Sequence, residues 1–564
     1  MPAEIVDLNE KRLEKLGPGQ RVRELMRIPA KRRLELILES TDAERTMAAL
    51  DVNDFFHFLQ EIGPDDSLPM LALASVEQIN HLFDIDWWRK DSLEPAKALT
   101  WLDRLNRASE RKLVEWLYNA DFDLLVALFK QWISVDVVPE DIDLVEARDL
   151  LPPKTLDDHF FWESRYPQYE DLINGLLSIM FEINYGFFKE LMNSILYAVT
   201  VESEEQAYHF HRARLSEHSV PELEEALEIY RAIRPNEFTL KRPMESGEEG
   251  ERPPSFALAL VQEGDLLGRV LRQVQDIDLA DTLQLELASL ANKVVVADQV
   301  APDNAEALRG AVEKALAYVN LGLEIKSGGE VEKAAEIIRN TFLEHLFRLA
   351  QAEVARVRGR LQKAVRSGWP AQSSSGIKIL DGEWFDAAEE LLRKTPRLLK
   401  LPVHEPTQGA IPQFDLFKTP QDIGRGNYIV DVITGAGGIY KSLAKDPREL
   451  EPLLWPEAQV QSLEDITLGV MVFTAAANFL TKGNWSVDPL PAGNWPQDFA
   501  KFQPQELDRV VMDWVYKKIS EQGERNLAEA YLAPILRDYD FEMKPFSPAN
   551  PPEAQMVKFF LFRE

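Results

Sequence analysis

The sequence predicts an all-α protein made of several lobes, and three observations predict it. A short helical phrase recurs about every eleven to twelve residues between Ile28 and Phe129. Leu and Ala return at three- and four-residue intervals along the rest of the chain, whereas Val and Ile seldom alternate as they would in half-buried strands. Turn and capping residues punctuate these runs at helix-length spacing.

The repeated phrase begins as IPAKRRLELIL at Ile28, STDAERTMAAL at Ser40, DVNDFFHFLQ at Asp51, GPDDSLPMLAL at Gly63, ASVEQINHLF at Ala74, ASERKLVEWL at Ala108 and ADFDLLVALF at Ala120. Each unit opens on a turn or capping residue (Pro29, Thr41, Asp51, Pro64, Ser75, Ser109, Asp121) and closes on apolar residues at helical spacing. Helices this short are unstable alone, so stacking on neighbours must supply their core. The expectation is a short superhelical stack over residues 21–150, preceded by a tail over 1–20 and broken once between Phe83 and Ala108 by DIDWWRKD and a helix from Leu93 to Arg107.

Beyond the stack, residues 151–235 read as a helical extension: two longer helices after Leu156, then Glu202 to Leu215 and Val220 to Ile233. A linker dense in Pro, Gly and Glu follows at 236–256. Residues 257–400 read as a helical bundle with runs at Ala257–Gln275, Leu279–Ala297, Asn304–Ile325 and Glu330–Arg366, then a short helix from Trp384 to Leu392. The region 401–564 reads as loop-rich but mainly helical, with Pro402, Pro406, Pro412 and Pro420 breaking helices up to Gly438 and helices near Leu463–Leu480 and Gln505–Ile519.

Composition narrows the function classes. The 564 residues carry 94 acidic against 63 basic side chains, a formal charge of -31 that argues against nucleic-acid and anionic-membrane binding. The first 33 residues are a local exception, with nine Lys or Arg against five acids. With no cysteine, disulfides, zinc-thiolate sites, iron-sulfur clusters and thiol nucleophiles are all excluded. The absence of cysteine and of an apolar leader fits a cytoplasmic protein. The uncharged stretch Ile466–Thr481 falls short of the roughly 20 apolar residues of a spanning helix, so it is expected as a buried core helix.

Candidate chemistry is sparse. GAGGIYKS, Gly435 to Ser442, approaches the phosphate loop GxxxxGK[ST], but Tyr440 replaces the glycine that lets backbone N–H groups surround a phosphate. A nucleotide site there remains an alternative, with Lys441 as its cation. Glu205 and His209 stand four apart, as do His159 and Glu163; on helices each pair would share a face and could hold a metal, which gives a second alternative, a metalloprotein or enzyme. His209 and His211, two apart, point to different helix faces. Trp87 and Trp88 lie at the break in the repeats. Adjacent indoles project in different directions, so one is expected to be partly exposed beside Arg89 as a partner-binding element. Burial of both against the inserted helix, with Trp101 nearby, is the competing expectation.

PAKRRLELIL, EIGPDD, DIDWWRKD, EEQAYHFHRARL with EEALEIY, and LELASLANKVVVAD together resemble a full-length bacterial family known only as a domain of unknown function, from about Arg21 onward. That resemblance implies no activity or site. The texture from Ile28 to Phe129 also resembles the cytosolic superhelical N domain of MgtE-type magnesium transporters and helical modules of flagellar switch proteins. In the transporter that domain is regulatory. The expected function is therefore non-enzymatic interaction or regulation without a cofactor. The expected partner is a protein, with basic patches complementing the acidic chain.

Overall fold

The computed structural model describes residues 18–138, 148, 150–197, 200–233, 253–399, 413–443, 454, 458, 460 and 462–564. The expected tail to residue 17, the linker up to residue 252 and Pro402, Pro406 and Pro412 lie outside the described residues. Two units divide the chain at Met1–Arg348 and Leu349–Glu564.

The first unit begins with α1 (Pro18–Met26), α2 (Ala30–Glu39), α3 (Ala43–Ala48), α4 (Val52–Ile62), α5 (Leu68–Leu73) and α6 (Val76–Asp86). A hairpin of β1 (Trp88–Arg89) and β2 (Ser92–Leu93) leads to α7 (Pro95–Ala108), α8 (Glu110–Asn119) and α9 (Phe122–Trp132). Each helix from α3 onward packs on the one two places earlier: α1 with α3, α2 with α4, and so on to α7 with α9. None could bury its apolar side within one turn-to-turn neighbour, and this skipping pattern gives each a second contact surface.

Caps set the boundaries. Asp51, Ser109 and Asp121 accept backbone N–H bonds at the starts of α4, α8 and α9, and Ser75 forms a reciprocal capping box with Gln78 on α6. Asp42 and Ser67, not the expected Thr41 and Pro64, precede α3 and α5. Carbonyls at helix ends are also met from neighbouring helices. Arg33, on α2, donates to Leu25 O, Met26 O and Ile28 O, and Gln78 Nε2 donates to Met47 O and Leu50 O at 2.8 Å each.

A three-stranded antiparallel sheet follows the short helices, with β3 (Ile133–Val137), β4 (Lys154–Thr155) and β5 (Phe160–Ser164) in the order β3-β5-β4. Its β5 strand takes the place of the start of the helix expected after Leu156, within a fold that is all-α in class. Phe160, Phe161 and Trp162 are buried in succession, the pattern of a strand covered on both sides, which periodicity cannot separate from a helix start. The helices α10 (Glu170–Ile183), α11 (Tyr185–Tyr197), α12 (Thr200–Glu217) and α13 (Leu223–Leu227) come next, and α12 lies against α9 and α6.

The bundle that follows contains α14 (Phe256–Ala259), α15 (Leu266–Leu271), α16 (Ile277–Asp298), α17 (Ala305–Ser327), α18 (Val331–Asn340) and the start of α19 (Leu343–Ser367). The expected single run Glu330–Arg366 is two helices, because Thr341 is extended and the Glu286 carboxylate takes the Leu343 N–H to begin the second. The run Ala257–Gln275 is likewise split into α14 and α15. Asp265 opens the second, and a Cβ on Gly268 would meet Gln262 O at 2.2 Å.

The second unit holds α20 (Gly382–Leu392), α21 (Pro420–Gly435), α22 (Gly437–Leu443), α23 (Leu468–Lys482), α24 (Pro504–Lys518) and α25 (Gln522–Met543). The expected loop up to Gly438 is wrong from Pro420 onward. Pro420 occupies the first turn, where its missing N–H is harmless, and Thr419 with Asp422 forms a capping box. Every residue of α23 from Leu468 to Asn478 is buried, as expected for a core helix, and no helix among the described residues is long and apolar enough to cross a membrane. The C-terminal FFLF packs around Trp495, Phe502 and Tyr539, and Phe562–Arg563 pairs in parallel with Leu490–Pro491.

Candidate functional site: the cavity at the Trp88 hairpin

The two indoles part company. Trp87, 1% exposed, stacks on Phe83 at 4.0 Å and meets Trp116 edge-on at 5.7 Å. Trp88 is half-buried and stacks on His211 of α12 at 4.7 Å with 25° between the rings, while Arg89 and Lys90 are exposed. Two turn residues close the hairpin, and Lys90 carries a positive φ of 61° there. Leu93 N–H is anchored by the Glu204 carboxylate at 3.0 Å.

Trp88 forms part of the wall of a 590 Å³ cavity within the first unit. Its floor is polar and deeply buried: Asn53, Asp84, His211 and Asn292 are each no more than 6% exposed. Arg214 grips Asp84 with two bonds, Nε to Oδ2 at 2.6 Å and Nη2 to Oδ1 at 2.7 Å. Burial alone would push the Asp84 carboxyl up, but these bonds, with His211 beside it, hold it below the usual carboxylate range. His211 Nδ1 lies 3.4 Å from Asp84 Oδ1, within ion-pair reach though outside hydrogen-bond geometry. Burial lowers the His211 pKa against the opposing pull of Asp84, which favours the neutral ring.

Behind the floor lies a second buried group. His81 has neither ring nitrogen hydrogen-bonded and packs edge-on to Phe56 and His218. Burial takes His81 and His57 down to about 3. Asp54 receives Ser255 N–H and Phe256 N–H at 2.7 and 2.6 Å, yet burial, then the neighbouring Asp51, pushes it up to about 8.

The alternative sites fare differently. His159 precedes β5 and Glu163 lies on it, so four residues of extended chain separate them by roughly 13 Å instead of one helical turn. Glu205 and His209 do share α12, on an exposed face. Among the described residues no group of three or more His, Asp or Glu is placed to hold a metal ion. Gly435 to Ser442 is a helix end and a new helix, with no strand before it. The Tyr440 N–H is spent on Ala436 O, and the Tyr440 side chain is fully buried against Trp369. The glycines serve close packing: a Cβ on Gly437 would meet Trp369 at 2.8 Å and one on Gly435 would meet Leu527 at 2.6 Å. The Tyr440 N–H, like that of Ile439, which also binds Ala436 O, cannot also serve a phosphate.

Sequence reasoning singled out Trp87, Trp88 and Arg89 together but missed His211, the ring stacked on Trp88, and the Asp84–Arg214 pair beside that ring. The available signal was scarcity: of eight histidines, His57, His81, His211 and His218 converge on one region of the fold. In the second unit, a 770 Å³ cavity is lined in part by Asp381, whose carboxylate is already satisfied by Thr467, Gly469 N–H and Tyr531.

Fold and site together define a mainly helical protein whose first unit places one aromatic residue of a short hairpin in the wall of a cavity that also holds buried polar side chains. Residues 10–563 match a family of unknown function (DUF6178), and the chain belongs to that family. No curated protein and no solved structure matches it.

Proposed function

We propose that the protein is a non-enzymatic interaction or regulatory protein that docks a protein partner through the Trp88–Arg89 hairpin. The observation that carries this reading is the unequal fate of the two indoles. Trp87 serves the core, whereas Trp88 keeps part of its surface open beside an exposed arginine, a combination suited to an interface anchor. The hairpin is fixed by the Trp88–His211 stack and the Glu204 bond, so little order has to be imposed on docking. The serial packing of short helices leaves their outer flanks available to a partner. The net charge of -31 favours a partner with basic patches through long-range steering.

Quantitative affinity capture from the native cell tests this, with the parent protein compared against Trp88→Ala and Arg89→Ala. A partner retained by the parent and depleted by both variants, at unchanged circular dichroism, is the expected result. Identical partner sets for all three proteins would remove the hairpin from recognition.

A further inference from the structure

We propose that the cavity beside Trp88 binds a small, uncharged, flat ring compound that donates one hydrogen bond, from N–H or O–H, to His211. This site shares Trp88 with the docking reading but is tested on His211, which that reading does not use.

The class of ligand follows from what the cavity has left to offer. Both oxygens of Asp84 are taken by Arg214, so the floor supplies neither a free anion nor a free cation. An ion buried there would lose its hydration without gaining a counter-charge. The amide of Asn53 donates to Asp51 and His218 O, and that of Asn292 donates to Asn53 and Ser219 O, so these side chains hold each other and the backbone. His211 remains. With Nδ1 turned to the Asp84 carboxylate, the proton belongs on Nδ1, and Nε2, across the ring, keeps its lone pair as an acceptor. Stacking on Trp88 fixes the plane of that ring, and Tyr208 lies 5.7 Å away.

Leu215, Val220, Val295 and Val296 give the lining an apolar part, beside His57, Tyr208 and Gln299, and the 590 Å³ volume suits a small organic molecule. Charged side chains at the rim, Lys90, Asp91 and an Arg212–Glu222 pair at 3.3 Å, are of both signs and select for neither.

Indole is a suitable probe, because it is neutral and flat and carries one N–H. Benzofuran has its shape without the donor, and indole-3-acetate adds a negative charge. Isothermal titration of the full chain is expected to show indole binding about tenfold or more tighter than either analogue, the difference made by one satisfied buried hydrogen bond. In His211→Phe, which keeps a stacking ring and loses the acceptor, indole and benzofuran should bind alike. No heat with indole up to millimolar concentration, or benzofuran binding as well as indole to the parent, would overturn the site. A preference for indole that survives in His211→Phe would overturn the role of His211. The comparison on the parent protein decides the matter even if the variant fails to fold.

Discussion

His81 sits where an imidazolium has neither water nor a hydrogen-bond partner, and desolvation disfavours the charged form of His57 as well. Both hold off protonation until about pH 3 when folded, against roughly 6.5 in an unfolded chain. Between those values the unfolded chain binds more protons, so the stability tied to these residues is complete above about pH 6.5 and is lost as pH falls. Asp54 acts in the opposite sense: raised to about 8, it keeps a proton that the unfolded chain releases near 4, and its contribution declines as pH rises through that window. Urea titrations of parent and His81→Phe between pH 4 and 7 isolate the histidine. The variant should lose about a tenfold change in the unfolding constant per pH unit, and an unaltered slope would mean that His81 is hydrated. The indoles differ by the same logic of burial. Trp87→Ala should cost about 3–5 kcal/mol through the cavity it opens between Phe83 and Trp116, and Trp88→Ala distinctly less, measured by chemical unfolding.

At the scale of elements, the hairpin is under backbone strain at one point. Lys90 adopts a positive φ, which costs a residue with a Cβ about 1 kcal/mol and costs glycine nothing comparable. Lys90→Gly should therefore leave the unfolding free energy within about 0.5 kcal/mol of the parent, strain relief offsetting the extra freedom glycine gives the unfolded chain, and a loss of more than about 1 kcal/mol would show that the Lys90 side chain contributes contacts of its own. The short helices were legible because their caps and apolar spacing are local: Asp51, Ser75, Ser109 and Asp121 each bind backbone within three residues. Less legible elements depend on distant residues. The split at Thr341 is completed by Glu286, and β5 pairs with β3 across an intervening stretch of chain. Pro420 was read as a breaker because proline both starts and stops helices, and only the Thr419–Asp422 box decides which.

Across the whole molecule, the helical class follows from periodicity, whereas the site does not. The Trp87–Trp88 pair stood out because it sits at a break in a repeat, but nothing in the sequence said which indole stays open. His211 lies 123 positions beyond Trp88, and no spacing rule joins it to Asp84. The central claim is that Trp88, and not Trp87, is presented for recognition. Hydroxyl-radical footprinting read by mass spectrometry, on the purified protein and inside the native cell, tests it most directly. Trp88 should be oxidised in the purified protein and shielded in the cell, with Trp87 silent in both. Equal labelling of Trp88 in the two settings, or an inert Trp88 throughout, would contradict it.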